Sequence, residues 1–115
     1  MKRIILPAVL AGLLSGPVFA GPIADFNDAY QGMYARYRAA LFQTNAGTAD
    51  VAEKALQGFA GSWGKFVTAY GQTPPPHLVE DTGWSITITE VGKSLEVAQD
   101  EVAEGKLAEA HETLE

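Results

Sequence analysis

The chain has 115 residues, with 8 basic and 14 acidic side chains and no cysteine. The absence of cysteine excludes disulfides, zinc–thiolate sites, iron–sulfur clusters and haem attached through a Cys-x-x-Cys-His motif. The acidic balance disfavours nucleic acid and anionic membranes as partners. It suits basic partners or cations, and it also suits plain solubility.

The first 20 residues have the organisation of a cleavable signal peptide. Lys2 and Arg3 precede an apolar stretch over residues 4–19, which is too short and too broken to span a membrane stably. Val18 and Ala20 supply the small residues that signal peptidase requires. The sequence therefore predicts a signal peptide over residues 1–20, a helical domain over residues 21–115, export to the periplasm, and no stable membrane anchor after cleavage.

Four later segments show the apolar spacing of amphipathic α-helices. The first covers residues 22–43, the second 50–70 and the third 81–104, and the fourth begins at residue 106. Their apolar stripes contain, in chain order, Phe26, Tyr30, Met33, Tyr37 and Leu41; Ala52, Ala55, Leu56, Phe59, Trp63, Phe66 and Tyr70; Trp84, Ile88, Val91, Leu95, Ala98 and Val102; and Leu107, Ala110, His111 and Leu114.

Some helix boundaries also carry a local signal. Gly47 is suited to the left-handed conformation that often ends a helix, and Asp50 with Glu53 is typical of a capping box. Residues 85–89 alternate and are β-branched, so taken alone they would predict a strand. The longer 4-3-4-3-4 apolar spacing around them favours a helix.

These segments together predict an all-α fold, an antiparallel up-down-up-down four-helix bundle joined by short connections. No glycine, asparagine or proline follows Leu114, and the last residues are acidic, which is the wrong sign for a helix C-terminus. The fourth helix is therefore expected to be incomplete at Glu115.

Two side chains on the apolar stripes are candidate metal ligands. Met33 carries a thioether that can act as a soft axial ligand to haem iron, and it can equally fill core space. His111 lies near Glu112 and Glu115 and is a weak candidate ligand for a metal ion, or alternatively a boundary histidine with one hydrogen bond.

The aromatic side chains and the glycines suggest how a flat ligand would fit. Seven aromatic residues predict either an ordinary core or the walls of a planar ligand site: Tyr30, Tyr34, Tyr37, Phe59, Trp63, Phe66 and Trp84. Gly58, Gly61 and Gly64 recur every three residues, which predicts close approach of another helix or of a flat cofactor. No Ser-His-Asp, Cys-His or His-Glu-x-x-His arrangement is present, so the sequence predicts a protein that is not an enzyme.

Several segments together resemble the soluble cytochrome b562 family of periplasmic four-helix bundles. They are Met33, the Ala55-Leu56 pair, the Pro-rich loop over residues 73–80, and the start of the last helix over residues 105–110. The resemblance implies non-covalent haem b, electron transfer and Met33 as one axial ligand. It places the second ligand, a histidine, roughly three turns past Glu115, outside this sequence, and His111 too early to take that role.

The resemblance and the acidic surface together imply a basic periplasmic redox partner. An alternative hypothesis belongs to another class: a cofactor-free or metal-handling helical-bundle interaction module. In that case Met33 is a core residue, and His111 with Glu112 and Glu115 is at most a weak cation site.

Overall fold

The computed structural model describes residues 21–115, and the predicted signal peptide lies outside this range. The described chain is all-helical, with no strand in residues 21–115, so the all-α prediction is confirmed. Its elements are α1 (Pro22–Ala46), α2 (Ala49–Tyr70), a short 3-10 helix (Pro76–Leu78), α3 (Trp84–Ala103) and α4 (Leu107–Leu114). Residues 85–89 lie inside α3, so the choice of helix over strand is confirmed as well.

The connection between α1 and α2 differs from its prediction. Gly47 is extended, with φ −96°, and is not left-handed; its N–H donates to the Gln43 carbonyl at 2.8 Å. The N-cap of α2 is Thr48, and no side-chain cap hydrogen bond forms, so the capping box of Asp50 and Glu53 was wrong. The reason is that α2 begins at residue 49, which places Asp50 within its first turn.

The helix end that does require glycine is that of α3. Gly105 has φ +80°, and its N–H donates to the Val102 carbonyl at 2.9 Å. The N–H of Lys106 reaches the Glu101 carbonyl at 2.8 Å. These two bonds form a Schellman motif, which satisfies carbonyls that the helix end would otherwise leave unpaired. The chain can then turn directly into α4.

The start of α3 lies three residues later than predicted. Asp81 belongs to a turn, because its Oδ1 accepts a hydrogen bond from the Gly83 N–H at 2.8 Å. This local bond competes with helix initiation. Trp84 begins the helix, and its Nε1–H donates to the Tyr70 carbonyl at 2.8 Å. That hydrogen bond ties the first turn of α3 to the last turn of α2.

The helices pack so that each contacts two others. The most extensive contacts join α1 to α2 and α3 to α4, and smaller contacts join α1 to α4 and α2 to α3. Four alanines, one from each helix, are completely buried: Ala40, Ala52, Ala98 and Ala110. Such small side chains let neighbouring helices approach closely. The rest of the core consists of Phe26, Met33, Leu56, Phe59, Trp63, Phe66, Leu95, Val102 and Leu114.

Candidate ligand-binding cavity

A cavity of about 700 Å³ lies among the helices. Its walls come from residues 26–37 of α1, 59–66 of α2 and 84–95 of α3, while α4 and the residue after it contribute only 113–115. The cavity is open to solvent on one side, and its volume falls within the range of small-molecule sites, roughly 300–1,000 Å³.

Eight of the twenty residues that line the cavity are aromatic. They are Phe26, Tyr30, Tyr34, Tyr37, Phe59, Trp63, Phe66 and Trp84. The rings also contact one another, with centroids 5.5 Å apart for Phe26 and Phe66 and 5.8 Å apart for Trp63 and Phe66. Mutual packing of this kind holds each ring in place. The cavity therefore has a rigid, apolar and flat-sided interior.

Met33 lies in the wall of this cavity. Its side chain is 8% exposed and belongs to the same buried cluster as the aromatic rings. Among the described lining residues it is the only one with a sulfur atom, which is a soft donor for a transition metal. The aromatic walls and the candidate axial ligand of the sequence analysis thus occur at one site.

His111 lies away from the cavity, between α4 and α1. Its Nδ1 is 3.0 Å from the Leu41 carbonyl and 3.2 Å from Thr44 Oγ1, and its Nε2 is 3.1 Å from Glu115 Oε2. The carbonyl can only accept, so Nδ1 carries the proton that it donates to Leu41. His111 is therefore a contact between helices, and the structure does not bring it together with Met33.

The carboxylates near His111 do not complete a metal site in the described chain. Glu112 is exposed. Within residues 21–115, no three His, Asp or Glu side chains stand close enough together to hold a metal ion. One imidazole nitrogen and one carboxylate are fewer ligands than a structural zinc site uses.

The glycines of α2 do not serve a close approach. A Cβ at Gly61 or Gly64 would have no heavy atom within 4 Å, and at Gly58 it would be 3.3 Å from Nη1 of Arg36, a flexible side chain. The predicted close approach of another helix is therefore wrong at Gly61 and Gly64, and the alternative of a flat cofactor at these glycines stays a prediction. The aromatic cavity lies elsewhere, since none of the three glycines lines it.

Tyr37 connects the cavity to α4. Its hydroxyl donates to the carbonyl of Leu114. Burial raises the pKa of Tyr37, and the nearby Tyr34 and Glu115 raise it further. The phenol is therefore neutral at physiological pH and remains a hydrogen-bond donor.

The polar residues that line the cavity were not assigned to a ligand site by the sequence analysis. They are Asn27, Thr87, Glu90, Ser94, Thr113 and Glu115. Those of α3 are Thr87, Glu90 and Ser94, which lie at helical spacing beside the apolar stripe. Their position on the flank of the stripe could have predicted that they border the apolar interior. Thr113 Oγ1 already donates to Glu101 Oε1 at 2.7 Å, which links α4 to α3.

Comparison of the sequence with protein-family models and curated proteins, and of the fold with solved structures, gives no match. Within residues 21–115, no helix combines the length and the apolar composition that a membrane span requires.

Proposed function

We propose that this protein binds haem b non-covalently in the aromatic cavity and transfers electrons in the periplasm. The observation that carries the proposal is the position of Met33, a thioether in the wall of a cavity lined by aromatic rings. Bound haem would supply the one-electron iron couple. The protein would supply a ligand, orientation and exclusion of water.

The cavity residues fit one side of a haem. Met33 would be the axial ligand, while Trp63 and Phe66 would provide flat apolar surface around the macrocycle. A neutral thioether in an apolar wall favours the less charged, reduced iron. No histidine lines the described cavity, and the Nδ1–H of His111 donates to the Leu41 carbonyl, so Met33 is the only thioether or imidazole that the described lining residues offer to the iron.

The proposal includes an antiparallel up-down-up-down arrangement of the helices. Two residues separate α1 from α2 and three separate α3 from α4, and the members of each pair pack most closely together. Connections this short reverse the chain direction between neighbours in helical bundles. The contacts of α4 with α1 would close the ring of four helices.

The proposed redox partner is a basic protein. Excluding the proposed signal peptide, the chain has 6 basic and 14 acidic residues. Complementary charge accelerates encounter and orients the partners, and added salt weakens this effect. Export would depend on residues 1–20, and the mature protein would have no stable membrane anchor.

Haemin titration of the full chain tests the proposal. We expect a sharp Soret band at one equivalent of haemin and a visible spectrum that depends on the Met33 thioether. Met33→Leu and Met33→Ala both remove the thioether, so both should lose this ligand signature. Met33→Leu also conserves the side-chain volume, so its effect does not come from a cavity in the core. Leu95→Ala is the matched control, because it truncates another buried residue of the cavity wall and leaves the thioether in place.

The outcomes separate the parts of the proposal. A full chain without a sharp Soret band would sink the haem assignment. A spectrum that is unchanged in Met33→Leu would sink only the ligand assignment, since the haem would then be held by other groups.

A cofactor-free or metal-handling interaction module is the second candidate. It is favoured by the hydrogen bonds of His111, which give that residue a structural use, and by a Met33 side chain that is already packed in the core. The module would bind neither haemin nor Zn²⁺ stoichiometrically if it is cofactor-free. Zn²⁺ binding that is lost in His111→Asn would favour metal handling.

A further inference from the structure

The charged residues among those that line the cavity have one sign. Glu90 on α3 and Glu115 after α4 both line it, and no lysine, arginine or histidine is among its described lining residues. Within residues 21–115, Glu90 forms no ion pair, whereas Glu115 pairs with Nε2 of His111 at 3.1 Å. The charged residues of the lining therefore favour a ligand that carries a positive charge.

The aromatic walls favour the same kind of ligand. The π-faces of tryptophan and tyrosine attract cations, and aromatic-lined sites are used to recognise organic ammonium groups. Tyr30 and Tyr34 are 44% and 42% exposed, so their rings are accessible at the side of the cavity. The guanidinium carbon of Arg38 lies 5.5 Å from the centroid of the Tyr34 ring, so this ring already holds one cation within the protein.

We propose that the cavity binds an aromatic organic cation, with the flat ring system between the aromatic walls and the positive charge near Glu90 and Glu115. This activity goes beyond haem binding and does not depend on Met33. A haem in the same cavity would have to direct its propionates away from the two carboxylates. The two ligands would compete for the same space. They differ in charge, because the haem propionates are negative and the proposed ligand is positive.

The two tryptophans of the chain, Trp63 and Trp84, both line the cavity and report directly on its occupancy. The probe is proflavine, a planar cation at neutral pH, and the counter-probe is anilinonaphthalene sulfonate, an aromatic anion of comparable size. We expect saturable quenching of tryptophan fluorescence by proflavine with one site by calorimetry, weaker binding of the anion, and loss of proflavine affinity with added salt.

Charge variants test the role of the carboxylates. Glu90→Gln should raise the dissociation constant for proflavine roughly 3-fold, which is what one charge a few ångströms away contributes in a water-like dielectric, and should strengthen binding of the anion. Glu96→Gln on the same helix removes an exposed carboxylate that does not line the cavity and should change neither constant. Ser94→Phe, an exposed position on the lining, should block the site while circular dichroism confirms folding.

Any of three results would overturn the proposal. The first is proflavine binding that does not saturate, and the second is proflavine binding that survives Ser94→Phe in a folded protein. The third is equal affinity for the cation and the anion, with both affinities unchanged in Glu90→Gln. The two proposals have separate readouts. Haem binding is followed by the Soret band and its change in Met33→Leu, and cation binding by tryptophan quenching and its change in Glu90→Gln, so either proposal can fail without the other.

Discussion

His111 stabilises the packing of α4 on α1 through one hydrogen bond, and His111→Phe is the perturbation that removes it. Phenylalanine has a similar shape and a similar helix propensity, so loss of the Nδ1 donor is the main change. A neutral hydrogen bond contributes about 1 kcal/mol net. The Leu41 carbonyl also accepts from Thr44 Oγ1 at 3.0 Å, so it is not left unpaired and no further penalty is added.

The contact of Nε2 with Glu115 adds little, because it is an ion pair only when the imidazole is protonated and because that carboxylate is 62% exposed. Exposed pairs of this kind contribute a few tenths of a kcal/mol at most. The expected loss in the free energy of unfolding is therefore about 1 kcal/mol. For a domain of this size that corresponds to a fall in Tm of about 4–8 °C.

Thermal and urea unfolding, followed by circular dichroism, measure this loss. His111→Asn is the matched control, because its side-chain N–H₂ occupies the place of Nδ1 and should recover most of the stability. Glu115→Gln should leave Tm almost unchanged. The reasoning is refuted if His111→Phe keeps the wild-type Tm, or if Asn and Phe are equally destabilising. Zn²⁺ that stabilises the wild type but not His111→Asn would instead favour the metal assignment.

Two further predictions concern the glycines and Tyr37. Gly61→Ala and Gly64→Ala should each raise the free energy of unfolding by about 0.5–1 kcal/mol, because both glycines lie in α2 with open space around the added Cβ. Gly105→Ala should lower it by about 1 kcal/mol or more, since φ is +80° there; equal urea midpoints for the three variants would contradict this. Folding raises the pKa of Tyr37, so protonation of its hydroxyl is linked to stability. The stabilisation by Tyr37 is therefore complete below its unfolded pKa of about 10 and is lost as the pH rises through its folded pKa. An absorbance titration at 295 nm of the four tyrosines measures this. Tyr37→Phe should lose the part of the tyrosine transition that occurs at the highest pH, and a wild type with one common transition would count against the assignment.

The helices were predictable because each apolar stripe repeats over many residues, so one ambiguous stretch does not change the assignment. The boundaries of the helices were harder to predict. Asp81 was taken into a helix, but its side chain bonds the Gly83 N–H and forms a turn. Gly47 was predicted to end its helix in the left-handed conformation but is extended, whereas Gly105 does adopt the left-handed conformation. A single glycine permits either backbone, and the hydrogen bonds available at the helix end decide which is adopted.

The site was predictable in its apolar part only. Met33 and the aromatic rings lie on stripes, so their meeting in one interior follows from the bundle. The partner of His111 is a backbone carbonyl, and no side-chain pattern encodes the position of a backbone acceptor. The charge of the lining likewise depends on the rotation of α3 about its axis, because Glu90 lies on the flank of the apolar stripe and a modest error in that rotation would move it out of the cavity wall.

The cavity explains why aromatic residues are both numerous and incompletely buried in this domain. An interior that served stability alone would fill a volume of about 700 Å³, since unfilled apolar space costs dispersion contacts and stability. Tyr30 and Tyr34 instead keep more than 40% of their surface exposed beside it. Apolar surface of this kind is typical of ligand sites. On the two proposals above, the same rings would serve a haem or an aromatic cation, because both ligands are flat and largely apolar. The groups that would discriminate between the two ligands differ in chemistry from the wall: the thioether of Met33 would favour a metal, and the carboxylate of Glu90 would favour a positive charge.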